Sequence, residues 1–275
     1  MKPMTKMVLL MTLYSVVACN AADEFPRDIM RSALSLNGTW QRLLEHEDAE
    51  VWRPRRAADL GPWEAVDIPG GLMWERGGER ITRDEKKGMA CAWIRRTFTL
   101  DDEQAARDVV LRWGGIKFGA MAWINGREVA DYTPISPHTV LLPRGLVRPG
   151  ENTVVIKAHG WAGVPKSESG YPLTPAGGST QGWGSKAAAV LDDVWLEFYD
   201  RALMKWILAV PDIANERVTF RIWLAGTGAM PAELTVRGHV TDHEPGRRVA
   251  RLSRRVTPPD GDGPVEIVVG LDKPR

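Results

Sequence analysis

VVLRWGGIKFGAMAWINGREVADY (109–132) and RPGENTVVIKA (148–158) are the two segments that decide the fold. Asn125-Gly126 lies between stretches in which apolar residues alternate, and this dipeptide readily adopts the positive φ angles of a tight hairpin turn. Pro149-Gly150-Glu151-Asn152 is a second turn, and it leads into a strand over residues 153–158. The two turns and the alternating stretches predict an all-β chain.

Further strands are predicted on both sides of these turns. In AWIRRTFTL (92–100), Ile94, Phe98 and Leu100 share one face at a period of two. Arg96 falls on the same apolar face, so we expect a carboxylate partner or a route to solvent for it. Gly114-Gly115 interrupts the next strand, which indicates a bulge or a close backbone approach.

The chain divides into a leader and two predicted β-sandwich domains. Residues 1–22 form the leader, residues 23–200 the first domain and residues 201–275 the second. Short strands separated by turn residues are typical of a small immunoglobulin-like sandwich, and here they are predicted at residues 205–210, 218–225, 232–241, 248–256 and 265–270. Such a domain needs about 100 residues, so we expect this second sandwich to be smaller and incomplete.

The charge balance and the cysteine content limit the possible partners and chemistry. The chain carries 36 Lys and Arg against 35 Asp and Glu, a formal net charge of +1. This balance argues against nucleic acid or an anionic membrane surface as the main partner. Cys19 and Cys91 are the two cysteines, and we expect Cys91, without a nearby His, to be a small core residue and a poor nucleophile.

The N-terminus has the pattern of an export signal. Lys2 and Lys6 precede an apolar run at residues 7–18, which is too short to span a bilayer as a mature helix and fits the apolar region of a secretory signal. Val16-Val17-Ala18-Cys19 resembles a bacterial lipoprotein signal in which Cys19 is lipidated, although Val16 stands where Leu is usual. Ordinary cleavage near residues 20–22 is the alternative. The expected location is therefore periplasmic, outer-membrane lipoprotein or extracellular.

Aromatic residues in two long loops are the candidate ligand contacts. The chain contains 12 Trp, and the Gly-, Ser- and Pro-rich loop at 160–186 carries Trp161, Tyr171 and Trp183. Trp74 opens a charged stretch at 74–88 that is predicted to be an exposed loop. Binding residues gather on the loops of a sandwich, so these four aromatics either stack on a sugar ring or fix their loops to the body.

Several segments, taken in order, resemble a known enzyme family. WIRRTFTL (93–100), the hairpin at 113–132, the turn and strand at 148–158, and AAAVLDDVWLEF (187–198) are similar to the N-terminal sugar-binding region of glycoside hydrolase family 2, the β-galactosidase and β-glucuronidase group. SLNGTWQ (35–41) fits the same pattern, and Ala188-Ala189-Val190 replaces the usual Gly-Gly-Ile. The resemblance implies a galactose-binding-type jelly roll, then an immunoglobulin-like sandwich, then a catalytic (β/α)₈ barrel.

No catalytic residue is predicted in this chain. The two catalytic glutamates of the family lie on the barrel, whereas the resemblance covers residues 32–275 and includes no barrel. Asn215-Glu216 matches the dipeptide of the family's acid/base, but it falls in a turn of the second sandwich. Asp192 and Asp193 are neighbours that would point to opposite faces of a strand, so we expect them to cap a turn.

No cofactor or transition-metal site is predicted either. His239 and His243 are four residues apart, but in a strand-to-turn context this spacing does not bring them together. A structural Ca²⁺ held by loop oxygens stays open. The expected partner is a carbohydrate, either a β-glycoside or a larger glycan, with a catalytic barrel domain or a second copy as further possibilities.

The sequence therefore predicts the non-catalytic carbohydrate-binding or scaffold portion of a family 2 glycoside hydrolase-like protein, whose parent activity is hydrolysis of β-glycosides. Two alternatives stay open. The chain is a fragment of an active enzyme whose barrel is encoded downstream, or it is a structural or adhesion protein that binds no sugar.

Overall fold

The computed structural model describes residues 10–15, 32–46, 63–76, 79–81, 89–173, 187–200, 202–241 and 248–271. The chain divides into two compact units. The large unit is Arg31–Phe198, and the small unit combines Met1–Met30 with Tyr199–Arg275.

Nearly all regular structure in the described residues is β-strand, which confirms the all-β prediction. The strands, numbered in chain order, are β1 Leu10–Ser15, β2 Ala33–Ser35, β3 Gly38–His46, β4 Glu64–Ile68, β5 Gly70–Gly71, β6 Glu75–Arg76, β7 Glu79–Arg80, β8 Met89–Leu100, β9 Asp108–Trp113, β10 Ile116–Lys117, β11 Gly119–Ile124, β12 Arg127–Pro134, β13 His138–Leu141, β14 Gly150–His159, β15 Ala189–Val190, β16 Val194–Tyr199, β17 Leu203–Asp212, β18 Arg217–Ala225, β19 Leu234–Thr241, β20 Arg248–Val256 and β21 Val265–Gly270. A short α-helix, α1, spans Asp102–Ala106.

The large unit is a sandwich of two antiparallel sheets. One sheet has six strands in the order β12-β11-β14-β8-β3-β4, and the other has four in the order β13-β9-β16-β2. The inward faces of both sheets form one hydrophobic core, in which Ile94, Ile156, Leu111 and Leu196 are fully buried. Phe98 and Leu100 join the same core, as their period of two predicts. A small third sheet pairs β10, β15 and β5.

The two turns that indicated the fold are joined by hydrogen bonds. Asn125 and Gly126 have φ angles of 49° and 79°, as the predicted tight hairpin requires. The Asn125 side-chain amide donates to the carbonyl oxygen of Leu146 and to Oδ1 of Asn152, both at 2.8 Å, while its own Oδ1 accepts from the backbone N–H of Thr153 at 2.9 Å. The hairpin and the second turn therefore stabilise each other.

Asn152 completes this connection from the other side. Its side chain is buried, and its Oδ1 also accepts from the backbone N–H of Arg148 at 3.0 Å. Its Nδ2 donates to the carbonyl oxygens of Arg148 at 2.7 Å and Gly150 at 3.1 Å. One buried side chain thus satisfies four polar groups, which explains why the turn needs an amide at this position.

A second connection links SLNGTWQ with DDVW. Nδ2 of Asn37 donates to Oδ1 of Asp193 at 2.7 Å, and its Oδ1 accepts from the N–H of Val194 at 3.0 Å. Gly114 accounts for the predicted close backbone approach, because a Cβ atom there would lie 2.4 Å from the Asp192 carboxylate. Asp192 and Asp193 therefore lie in a turn between strands and hold it together.

Arg96 finds backbone partners. Its guanidinium donates to the carbonyl oxygens of Leu36 at 3.0 Å and Asn37 at 2.6 Å. These hydrogen bonds of the half-buried cation therefore go to backbone carbonyl oxygens just before β3. The expected partner was a carboxylate, or else a route to solvent.

Two segments outside the predicted strands contain regular structure. Residues 101–107 hold α1, which begins with a capping box in which the Asp101 carboxylate accepts from the N–H of Gln104 at 2.7 Å and the Gln104 side chain accepts from the N–H of Asp101 at 3.1 Å. The stretch at 74–88 contains the paired strands β6 and β7. Local polar side chains supply hydrogen bonds that the hydrophobic pattern does not show.

The small unit contains two three-stranded sheets around its own core. Their strand orders are β17-β18-β21 and β1-β19-β20. Phe220 and Ile222 of one sheet pack with Val240 and Leu252 of the other. The observed bounds of β20 and β21 equal the predicted ones. β1 comes from the predicted leader and pairs with β19.

Candidate functional site

Trp74 is an exposed aromatic on the loop that follows β5. Its side chain is 49% exposed. The ring lies against the backbone of Gly71, where a Cβ atom would come within 2.2 Å of it, and the Trp74 carbonyl accepts from the N–H of Ile81 at 2.8 Å. The loop backbone therefore presents one part of the indole to solvent and holds the other part in place.

Trp161 is attached to the body of the large unit. It begins a 3-10 turn, Trp161–Gly163, directly after β14, and its side chain is half-buried. The indole meets the ring of Phe118 edge to face, with the centroids 5.4 Å apart and the planes at 66°. This geometry is typical of a stabilising aromatic pair, so Trp161 fixes its loop to the body, one of the two roles foreseen for it.

Tyr171 is the most exposed of the candidate aromatics that the structure describes, at 71%. Its loop is held by its own hydrogen bonds. The N–H of Ser167 donates to the Tyr171 carbonyl at 2.8 Å, and the N–H of Tyr171 donates to Oγ of Ser167 at 3.1 Å. The ring itself faces solvent. Trp183, the fourth candidate, lies outside the described residues.

Trp74 and Trp161 lie at the same end of the large unit, because the residues that precede them, Met73 and Gly160, are in contact. A Cβ atom on Gly160 would lie 3.2 Å from Cε of Met73, so the residues next to the two tryptophans pack together. Met73 Sδ also accepts from the N–H of Ala188 at 3.3 Å. The described contacts of Tyr171 stay within its own loop, and they do not join it to this pair.

Lys117 adds a buried positive charge beside this aromatic end, and it is not among the predicted site residues. Its side chain is 7% exposed, and its Nζ lies 4.8 Å from the centroid of the Phe118 ring. Burial lowers the pKa of Lys117. A lysine within the apolar segment IKFGAMAW was the available signal, because a buried lysine needs a π face or an anion to compensate for lost hydration.

A buried polar network covers the outward face of the six-stranded sheet. Glu45 lies on β3, Trp93 on β8 and Lys157 on β14, and each is at most 7% exposed. Trp93 Nε1 donates to Oε2 of Glu45 at 2.5 Å. Lys157 Nζ donates to Oε1 of Glu45 at 3.2 Å and lies 3.1 Å from its Oε2. Trp123 packs on Trp93 at 5.4 Å between ring centroids. Both oxygens of Glu45 are thus engaged by neighbours, which suits a structural ion pair.

The prediction that Cys91 has no nearby His is wrong, because β14 places His159 opposite Cys91 in β8. Sγ of Cys91 lies 3.5 Å from Nδ1 of His159, and the same Nδ1 lies 2.6 Å from the Gly163 carbonyl. Burial raises the pKa of Cys91 to about 12 and lowers that of His159 to about 4. Both groups are neutral near pH 7, so Cys91 stays an unreactive thiol, and the expectation of a poor nucleophile stands on different grounds.

The carboxylates discussed as candidates in the sequence lie in turns between strands. Glu216 is exposed in the turn between β17 and β18, with a left-handed φ of 47°. Asp193 is hydrogen-bonded to Asn37. Across the described ranges, no three His, Cys, Asp or Glu side chains are grouped so as to hold a metal ion. In the same part of the chain, no helix has the length and apolar character needed to cross a membrane.

Three solved glycosidases share this fold. A β-D-mannosidase from Dictyoglomus thermophilum aligns with a TM-score of 0.58 and 14% identity, covering 87% of this chain and 31% of that one. A β-glucuronidase from Ruminococcus gnavus aligns with a TM-score of 0.59 and 16% identity, covering 92% of this chain and 41% of that one. A putative β-galactosidase from Bacteroides fragilis aligns with a TM-score of 0.60 and 20% identity, covering 88% of this chain and 36% of that one.

The chain shares its fold with part of these glycosidases. It spans 31–41% of their length. Two of the three, the β-glucuronidase and the putative β-galactosidase, are named for the activities of the family that the sequence motifs resemble. The predicted resemblance is therefore confirmed at the level of the fold. No protein-family model matches the sequence, and no curated protein matches it.

Proposed function

We propose that this chain is the non-catalytic carbohydrate-binding or scaffold portion of a family 2 glycoside hydrolase-like protein, whose parent activity is hydrolysis of β-glycosides. The observation that carries the proposal is the fold shared with a part of three glycosidases. The motif residues support it, because Asn37, Asn125 and Asn152 are all engaged in turn-to-turn hydrogen bonds. Such residues build a scaffold and leave the chemistry to other groups.

Stacking of a sugar ring on exposed aromatics is the proposed binding mode. Trp74 and Tyr171 present open ring surface, at 49% and 71% exposure, and the C–H face of a pyranose is apolar enough to pack on such a ring. The hydroxyls of half-buried Ser167 and exposed Ser169 lie 3.0 Å from each other in the loop of Tyr171, and they are the proposed hydrogen-bonding groups for sugar hydroxyls. Trp161 packs on Phe118 and fixes its loop to the body, and Trp183 stays the fourth candidate.

A glycan titration tests this proposal. Methyl β-galactoside, methyl β-glucuronide and longer β-linked oligosaccharides are titrated calorimetrically into the full chain and into Trp74→Ala and Tyr171→Ala. We expect each substitution to weaken binding about three- to tenfold, because one aromatic contact contributes about 0.5–1.5 kcal/mol beyond its buried area.

Trp206→Ala is the control, because Trp206 is also an exposed tryptophan, 62% exposed against 49% for Trp74, and it lies in the small unit. Its affinity should equal that of the wild type. Absence of saturable binding to every sugar would leave only the scaffold role. Equal weakening by Trp206→Ala and Trp74→Ala would contradict the proposed surface.

Export is the second part of the proposal. Lys2, Lys6 and the apolar run at 7–18 support a secretory signal, and Cys19 is the proposed lipidation site; Cys19 lies outside the described residues. Intact-mass analysis of the chain recovered from a bacterial host should show loss of the leader. A lipid mass that disappears in Cys19→Ala would support the lipoprotein form, and an unmodified N-terminus at residues 20–22 would support ordinary cleavage.

An enzyme that includes this chain is the second candidate. Coverage of only 31–41% of the three glycosidases favours it. A catalytic barrel encoded beyond Arg275, in frame or after a frameshift, is the expected finding in the gene, and the barrel would be the natural partner of both units. Unrelated sequence there would contradict this candidate.

A further inference from the structure

The imidazole of His159 fixes the beginning of the loop at 160–173 to the body of the large unit. His159 is the last residue of β14, and its Nδ1 donates to the Gly163 carbonyl at 2.6 Å. Gly163 ends the 3-10 turn that begins at Trp161. The loop then continues to the exposed ring of Tyr171. One side chain of the sheet therefore holds the turn from which the aromatic loop starts.

The same turn lies closely over Cys91. A Cβ atom on Gly163 would come within 2.3 Å of the Ala90 carbonyl oxygen and 2.6 Å of Sγ of Cys91. The N–H of Gly160 also donates to the Ala90 carbonyl at 2.8 Å. Cys91 is only 2% exposed. Access of a reagent to this thiol therefore reports whether the turn is in place.

The second ring nitrogen of His159 is buried without a hydrogen-bond partner. A carbonyl oxygen only accepts, so the bond to Gly163 places the proton of the neutral imidazole on Nδ1. Nε2 is then an acceptor, and it has no donor against it. The side chain as a whole is 4% exposed. A proton taken up at Nε2 would create a buried donor and a buried charge with no acceptor.

The groups around the imidazole do not supply the missing negative charge. Sγ of Cys91 on β8 lies 3.5 Å from Nδ1, and the ring of Tyr132 on β12 meets the imidazole edge to face at 5.1 Å between centroids. Burial raises the pKa of both groups to about 12, so both are neutral. Lys157 on β14 and Lys117 on β10 contribute positive charge. The Glu45 carboxylate is engaged by Lys157 at 3.1 Å.

These effects give the closed turn a lower proton affinity than an open one. Burial lowers the pKa of His159 to about 4, the bond to Gly163 opposes this shift, and the charge of Lys157 adds to it. An imidazole released into water has a pKa of about 6.5. Between these two values the open form binds more protons than the closed form, so acid favours opening.

We propose that His159 is an acid-sensitive switch for the loop at 160–173: protonation of Nε2 releases Gly163 and opens the loop while the sheet stays folded. The closed form is favoured at pH 7 and loses this advantage as the pH falls from about 6.5 towards 4. A sugar held by Tyr171 would be released at the same time, and this consequence alone rests on the proposed function.

Reactivity of the Cys91 thiol with a dipyridyl disulfide, which reacts with thiols even in acid, measures the opening. Cys19→Ser leaves Cys91 as the one thiol of the chain. Each rate is divided by the rate of the same chain unfolded in urea at the same pH, because this removes the pH dependence of the thiol itself. We expect the ratio to rise about twentyfold from pH 7 to pH 5, as pKa values of about 4 and about 6.5 require.

Two histidine variants in the Cys19→Ser chain locate the effect. His159→Gln keeps an amide that can donate to the Gly163 carbonyl but does not titrate, so its ratio should change less than about twofold. His138→Gln is the matched control, because it removes another histidine of the large unit, one stacked on Trp113, and it should keep the full rise. Opening of a loop exposes little surface, so about 1 M urea should change the ratio at pH 5 only slightly.

The pH profile of the Cys19→Ser chain needs no histidine variant, and a ratio that stays constant from pH 7 to pH 5 would overturn the proposal. An equal rise in His159→Gln would also overturn it, as would a steep urea dependence at pH 5, which indicates unfolding of the whole unit. Calorimetric sugar titrations at both pH values separate the two proposals. Absence of sugar binding with an intact rise in Cys91 reactivity would support the switch and contradict only the sugar site.

Discussion

Replacement of Asn152 by Ala should destabilise the large unit by about 2–4 kcal/mol. The side chain makes four hydrogen bonds, to the backbone of Arg148 twice, to Gly150 and to Asn125. Each such bond contributes about 0.5–1.5 kcal/mol net, and partners left unsatisfied cost more. Four such bonds sum to about 2–6 kcal/mol. Because these partners are only partly buried, water replaces some of the lost bonds, so the expected loss is in the lower half of this range.

Urea unfolding measures this loss. The buried Trp40, Trp93 and Trp113 report on the large unit by fluorescence, and hydrogen exchange in β11 and β14 assigns the transition to that unit. With an m-value of about 2 kcal/mol/M, the expected loss moves the midpoint down by about 1–2 M. Asn152→Asp keeps the size and the accepting oxygen, but it replaces the donating Nδ2 by an oxygen that faces the carbonyls of Arg148 and Gly150, so its midpoint should also lie well below that of the wild type.

Glu151→Ala is the control from the same turn, because Glu151 is exposed. Its stability should stay within about 0.5 kcal/mol of the wild type. A loss below about 1 kcal/mol for Asn152→Ala, or equal losses for the two alanine variants, would refute the reasoning that the amide network joins the two turns.

Three further outcomes are expected. Gly71→Ala should displace the Trp74 ring, which a Cβ atom would approach to 2.2 Å, and should raise the exposure of Trp74 to acrylamide quenching while the control Gly145→Ala does not. Lys157→Met should cost about 3–5 kcal/mol in urea unfolding, because it leaves the buried Glu45 carboxylate without its cation. Burial holds the pKa of His159 at about 4, below its value of about 6.5 in an unfolded chain, so the unfolded state binds more protons between these values. The free energy of unfolding should therefore fall as the pH is lowered from about 6.5 to about 4, and His159→Gln should flatten this fall.

Much of the fold was predictable because turn chemistry is local. Asn125-Gly126 requires positive φ angles, and the structure shows them. The period of two in residues 92–100 placed Ile94 and Phe98 on the core face, where they are buried. α1 was missed although its cap is also local, because the segment is short and polar and shows no apolar period, while its helix begins with a reciprocal cap between Asp101 and Gln104.

The candidate site was predictable only in part. Trp74 and Tyr171 are exposed, as loop aromatics often are, whereas Trp161 packs on Phe118, a residue more than forty positions earlier in the chain. The proximity of Cys91 to His159 depends on the register between β8 and β14. Register between strands that are far apart in sequence is set by the whole sheet, so no local pattern could reveal this pair.

The most direct test of the proposed function is release of nitrophenolate from nitrophenyl β-galactoside and nitrophenyl β-glucuronide by the purified chain. The described carboxylates of interest are engaged in turns and ion pairs, as Asp193 and Glu45 are, and retaining hydrolysis needs two free carboxyl groups about 5–5.5 Å apart. The account predicts no release above that of buffer alone. Saturable release that follows the protein through purification would contradict it.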